Sequence, residues 1–115
     1  MENNLKSVIE VNDVKYDLYF NLNVMQEIQE EYKTLDKWAE LTDGTKGEVD
    51  IKALIFGVYC MINEGIDISN EENNEKKPFM TKKQVGRLIT ELGVKEMTTK
   101  VNDAVIKSTK SDEKN

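Results

Sequence analysis

At 115 residues with a net charge of −6, one cysteine and no histidine, the chain is long enough to bury roughly two-thirds of its unfolded surface as one domain without metal or disulfide staples. Zinc constellations, serine or cysteine dyads with histidine, and histidine acid–base chemistry are all excluded. Residues 1–75 carry six basic and seventeen acidic side chains and residues 76–110 nine and three. The front half therefore disfavours nonspecific nucleic-acid binding, while the back half either meets an acidic partner, a sister molecule included, or is ordinary solvated helix surface.

The opening MENNLKSVIEV has no basic segment followed by a long apolar run, so no secretory signal is expected and the expected location is cytoplasmic. Ser7–Val11 and Val14–Phe20 read as strands joined at Asn12-Asp13, two residues that tolerate the positive φ of a two-residue turn, which predicts a hairpin over 7–20. Val14, Tyr16, Leu18 and Phe20 share one face, with Lys15, Asp17 and Tyr19 on the other. A lone hairpin is marginal in water, so its apolar face should cover a helix.

Asn23 followed by Gln26 predicts a capping box opening a helix over about 24–32, with Val24, Met25, Ile28 and Tyr32 to one side and glutamates to the other. Thr34 caps a second helix over about 35–41, where Leu35, Trp38 and Leu41 recur at three-residue spacing before Thr42-Asp43-Gly44 ends it. Residues 42–48, TDGTKGE, form a flexible loop; its GTKG lacks the spacing of a phosphate-binding loop and follows no strand.

DIKALIFGVYCMINEG, residues 50–65, is the one long stretch apolar on nearly every side, with only Asn63 and the ends suited to water. Asp50 as N-cap and Gly65 as a left-handed stop predict a buried helix over 51–64. It falls short of the roughly 20 apolar residues of a membrane span. Gly57 costs about 1 kcal/mol in a helix interior and predicts a closely packed neighbouring helix, with Gly86 as a second point of close approach. Cys60 reads as a small buried apolar residue.

Residues 69–78 are polar and aperiodic, a mobile loop whose acids lack the ligand pattern and mid-loop glycine of a calcium site. Thr81 and Gln84 predict a second capping box, with Phe79 or Met80 stapled onto the first turn of a helix over about 82–92. Val85, Leu88, Ile89 and Leu92 trace its stripe and Gly93 stops it. A last helix over about 98–108 rests on Val101, Ala104 and Val105, and residues 109–115 should be disordered. The expected fold class is α+β: one domain over 1–108, an N-terminal β-hairpin packed on four to five helices around the central apolar helix.

No nucleophile has a base beside it, and no metal set or cofactor loop is visible, so neither an enzyme nor a cofactor is expected. A DNA-binding alternative draws on TKKQVGRLITELGVKEMTTKVNDAVIKS, where helix, glycine turn and helix carry Lys82, Lys83, Arg87, Lys95, Lys100 and Lys107. Its turn, however, reads as longer than the three or four residues of a helix-turn-helix. A protein-binding module remains. Tyr32, Trp38, Phe79 and Met80, on short helices and loop edges, are the candidate partner-binding residues, each with a core role as its alternative.

The succession YDLYFNLNVMQEIQEEYKTLDKW, DIKALIFGVYCMINEGIDI and TKKQVGRLITELG resembles the small tail assembly chaperones of long-tailed bacteriophages and prophages of Gram-positive hosts, over roughly residues 14–108. It departs from their pattern at Lys33, where a glycine would end the first helix. The resemblance implies a protein of the host cytoplasm that coats the aggregation-prone tape-measure protein, brings tail-tube subunits to it and is absent from the mature virion. In many such phages a ribosomal frameshift adds a longer product.

Overall fold

Asn12 and Asp13 hold φ of 53° and 67°, the left-handed pair that a type I′ turn needs. The turn joins β1 (Lys6–Val11) to β2 (Val14–Tyr19) in an antiparallel hairpin with Ser7 opposite Leu18 and Ile9 opposite Tyr16. The structure, a computed structural model describing residues 6–113 and side chains through Thr109, continues with α1 (Leu22–Tyr32), α2 (Leu35–Thr42), α3 (Ile51–Asn73), α4 (Lys82–Leu92) and α5 (Val94–Glu113). The fold is α+β, a hairpin followed by five helices.

The hairpin covers α3, as its alternating face predicts: Ile9, Leu18 and Phe20 are buried. Val14, at the turn end of that face, is exposed, and Tyr19 on the opposite face is buried, with the Lys6 ammonium 5.8 Å from its ring centre. α5 lies along β1, where the Ser7 hydroxyl donates to the Lys100 carbonyl at 2.8 Å.

α1 opens one turn-fragment earlier than its sequence suggests. Asn21, not Asn23, is the N-cap, accepting from the Val24 N–H. The reason lies across the helix pair, where Asn21 and Asn23 both donate their amides to Glu64, at 2.8 and 3.1 Å. Lys33, which stands where a glycine was expected, takes φ 74° and ψ −42°, a positive-φ conformation outside the left-handed helical region that costs a residue with a Cβ about 1–3 kcal/mol. Lys33→Gly is expected to stabilise the fold by roughly 1 kcal/mol, read as a raised urea midpoint at unchanged slope.

α3 runs nine residues past its expected end. Gly65 is not its stop: a Cβ there would sit 2.5 Å from the Asp17 carbonyl oxygen of β2, so this glycine lets the hairpin backbone lie directly on the helix. Asn74, at φ 54° and ψ 46°, supplies the left-handed cap. The expected mobile loop over 69–78 is thus helical to Asn73, and its remainder is fastened to α3 by two asparagines seven residues apart. Asn70 exchanges hydrogen bonds with the peptide groups of Lys77, at 3.0 and 3.1 Å. Asn63, expected to face water, does the same with Met80, at 2.8 and 3.0 Å.

The neighbour at Gly57 is α2 rather than α4. Trp38 is 2 % exposed and lies on the glycine, where an added Cβ would collide with its indole. Its N–H donates to the Ala53 carbonyl at 3.1 Å and its ring stacks on Phe20 with centroids 5.9 Å apart. Gly86 faces Ile55 instead, at an ordinary 3.7 Å.

α4 carries the predicted Thr81–Gln84 capping box and the buried stripe of Val85, Leu88 and Ile89. α5 begins at Val94, not near residue 98, because the Gly93 carbonyl accepts from the Met97 N–H at 3.0 Å. Met97 then heads a buried stripe through Val101, Ala104 and Ser108. The helix continues to Glu113 through the tail expected to be disordered; residues 1–5 and 114–115 lie outside the described residues.

Candidate binding groove

α1 packs antiparallel on α3: Tyr32 meets Phe56 edge-on at 5.9 Å, and two to three turns away Asn21 and Asn23 hold Glu64. On the other flank the Asn63 and Asn70 amides fix residues 77–80, which lead into the Thr81 cap of α4. Between these walls the outer face of α3 stays open. Ile51 is 51 % exposed, and Ile55, Phe56 and Tyr59 are half-buried. The sequence placed Ile51 and Ile55 within an all-round buried helix; they are instead the open side of it.

Two cavities follow one another along this face. The first, about 370 Å³, is lined by Tyr32, Ile51, Ile55 and Phe56, with Glu31, Lys52 and Lys82. The second, about 230 Å³, is lined by Tyr59 and Phe79 with Glu27, Glu64 and Asp67. Lys82 lines the first and stands at its border with the second, its ammonium 5.3 Å from the Phe56 ring centre and 5.4 Å from that of Tyr59, a cation–π arrangement that also holds the rings in place.

Two groups bordering the groove hold their protons more tightly than usual. Burial pushes the Tyr32 phenol above its usual range, helped by the negative charges of Asp50 and Glu31. Burial also drives the Cys60 thiol up to about 12, with the Glu27 carboxylate adding to the effect. Cys60 is therefore the buried, neutral side chain expected. A raised pKa in the folded state leaves stability untouched while the thiol is neutral in both states. As pH rises past 9, the ordinary thiol value, the unfolded chain ionises first and stability falls until the folded thiol also titrates near 12. Urea unfolding at pH 8 and pH 10 should show a loss in the wild type that is smaller in Cys60→Ala, by at most about 1.4 kcal/mol per pH unit.

The four candidate partner-binding residues separate. Tyr32 and Phe79, the latter 57 % exposed, stand on the two cavities of the α3 groove. Trp38 is core, leaving it no surface to present. Met80 is half-buried on the hairpin side of α3, in a different cleft of about 400 Å³ with Val14, Tyr16, Ile66 and Pro78. Sequence reasoning passed over Phe56 and Tyr59. The available signal was the run itself, because one buried stripe leaves apolar residues over and Ile51, Ile55 and Tyr59 recur at four-residue spacing.

At the basic half, the turn between α4 and α5 is Gly93 alone, shorter than the three or four residues of a helix-turn-helix and not longer, as the sequence suggested. Among the described residues no helix is long and apolar enough to cross a membrane, and no three acidic, cysteine or histidine side chains gather as a metal site. The chain matches no protein-family model, no curated protein and no solved structure.

Proposed function

We propose that the protein is a non-enzymatic tail assembly chaperone that binds and solubilises a tape-measure protein and helps bring tail-tube subunits to it. The observation that carries this is the open apolar face of α3, from Ile51 to Tyr59, bordered by Tyr32 and Phe79. A chaperone for a long helical client needs an apolar surface beyond its own core, mounted on a charged body, and the resemblance in segment order supplies the client. Helix-in-groove packing buries the client's apolar stripe while the acidic front half keeps the complex in solution.

The first test is the genome neighbourhood, which should hold a very long tape-measure gene beside this one, and the second is co-expression with that protein. The wild-type chain should move that protein from the pellet to the supernatant and co-purify with it. Ile51→Asp, at a half-exposed position on the groove floor, should lose both effects while keeping its own circular dichroism spectrum. No change in tape-measure solubility with the wild type would overturn the proposal.

A further inference from the structure

The two halves of the α3 groove differ in charge as well as shape. At the Ile51 end the cavity is apolar, with Lys52 and Lys82 against a single acid, Glu31. At the other end Glu27, Glu64 and Asp67 surround Tyr59 and Phe79, no basic side chain lines the cavity, and the Lys82 ammonium, 5.4 Å from the Tyr59 ring centre, marks the border between the two halves. Among the described residues none of these three carboxylates takes part in an ion pair. Glu64 is held only by the neutral amides of Asn21 and Asn23. Among the described residues the three are not gathered as a metal site.

From Ile51 to Asp67 the groove follows α3 for about 24 Å, the length of a helix of roughly sixteen residues. Among the described residues, no element outside this face offers it an apolar stripe of its own. The exposed large apolar side chains elsewhere, Val8, Val14, Leu22, Val94 and Ile106, are scattered over four elements. Val94 and Ile106 on α5 are twelve residues apart, about 120° around the helix from each other, so no second apolar stripe is offered.

We infer that the groove takes an amphipathic client helix whose apolar stripe lies on Ile51, Ile55 and Phe56 and whose lysine or arginine residues, two turns further along the same face, lie among Glu27, Glu64 and Asp67. The inference rests on the groove assigned above as the client surface and adds the client's charge pattern and its direction. The apolar half supplies the buried area, and the carboxylates with the Tyr59 and Phe79 rings receive the cationic heads. Opposite charge at that end fixes register and rejects helices with acidic ends.

The test uses three synthetic helical peptides of about sixteen residues against the full chain, read by fluorescence anisotropy. One has a leucine stripe followed by lysines on the same face, one replaces those lysines with glutamates, and one carries the lysines on the opposite face. The first should bind at least about tenfold more tightly than the other two, and the margin should shrink with added salt. Asp67→Lys, at an exposed position, should erase the preference for lysine, and Ile51→Asp should weaken all three. Equal binding of the lysine and glutamate peptides, or no binding by any of them, would overturn the inference. Retention of the tape-measure protein by the wild type but not by Ile51→Asp in the same cells would then leave the chaperone proposal standing by itself.

Discussion

Trp38→Ala is expected to remove about 3–5 kcal/mol of folding stability, a large share of the roughly 5–15 kcal/mol that a domain of this kind has in total. The indole fills the space that Gly57 leaves on α3, stacks on Phe20 and donates to the Ala53 carbonyl. Alanine empties that volume at the junction of α2, α3 and the end of the hairpin, where surrounding side chains have little freedom to collapse. Trp38→Phe keeps most of the stack and loses the N–H donor, so it should cost about 1–2 kcal/mol. Urea denaturation followed by circular dichroism measures both. A loss below about 1 kcal/mol for the alanine variant would show that Trp38 is not the anchor described.

The second large effect reverses an ordinary rule. Glycine to alanine inside an exposed helix normally gains up to about 1 kcal/mol. Gly65→Ala should instead cost about 1–3 kcal/mol, because the new methyl would lie 2.5 Å from the Asp17 carbonyl oxygen and 3.2 Å from the Asp17 Cβ. A strand backbone paired with β1 cannot step aside as a flexible side chain can. Gly86→Ala is the internal control: its nearest neighbour, Ile55 Cδ1, is at 3.7 Å, so the propensity gain should survive. Opposite signs at positions 65 and 86 in the same denaturation assay would confirm that α3 bears the hairpin at Gly65. Like signs would contradict it.

Local chemistry made much of the fold legible. Asn12-Asp13, the Thr34 cap, the Thr81–Gln84 box and the stripe of Val85, Leu88 and Ile89 each carry their signal within a few residues, and each appears where it was read. What the sequence hid was decided by contacts between distant segments. Gly65 reads as a helix stop until β2 is known to cross it. Asn63 and Asn70 read as solvated until they are seen to hold Met80 and Lys77. Asn23 is a sound cap by pattern, but Glu64, forty-one residues on, draws both asparagines and the cap falls to Asn21. Met97 lies only four residues before Val101, yet the glycine ahead of it masked the start of α5.

The candidate site was half legible for a related reason. Aromatic residues on loop edges were sensible guesses, and Tyr32 and Phe79 do border the groove. Whether a large side chain is wall or core depends on which face its helix turns inward, and in a helix apolar all round that is not written locally. Trp38 went inside because Gly57 made room for it; Ile51 was left exposed and Phe56 half-covered because α1 and α4 pack to either side of them.

Site-specific photo-crosslinking in the co-expressed complex tests the central claim, that the outer face of α3 is the client surface. A photoreactive residue is placed singly at Ile51, Phe79 or Ile106, all exposed, the last on α5 and outside the groove. The groove account predicts covalent adducts with the tape-measure protein from positions 51 and 79 and none from position 106. Adducts from position 106 with none from 51 and 79 would place the client elsewhere on the molecule and contradict it.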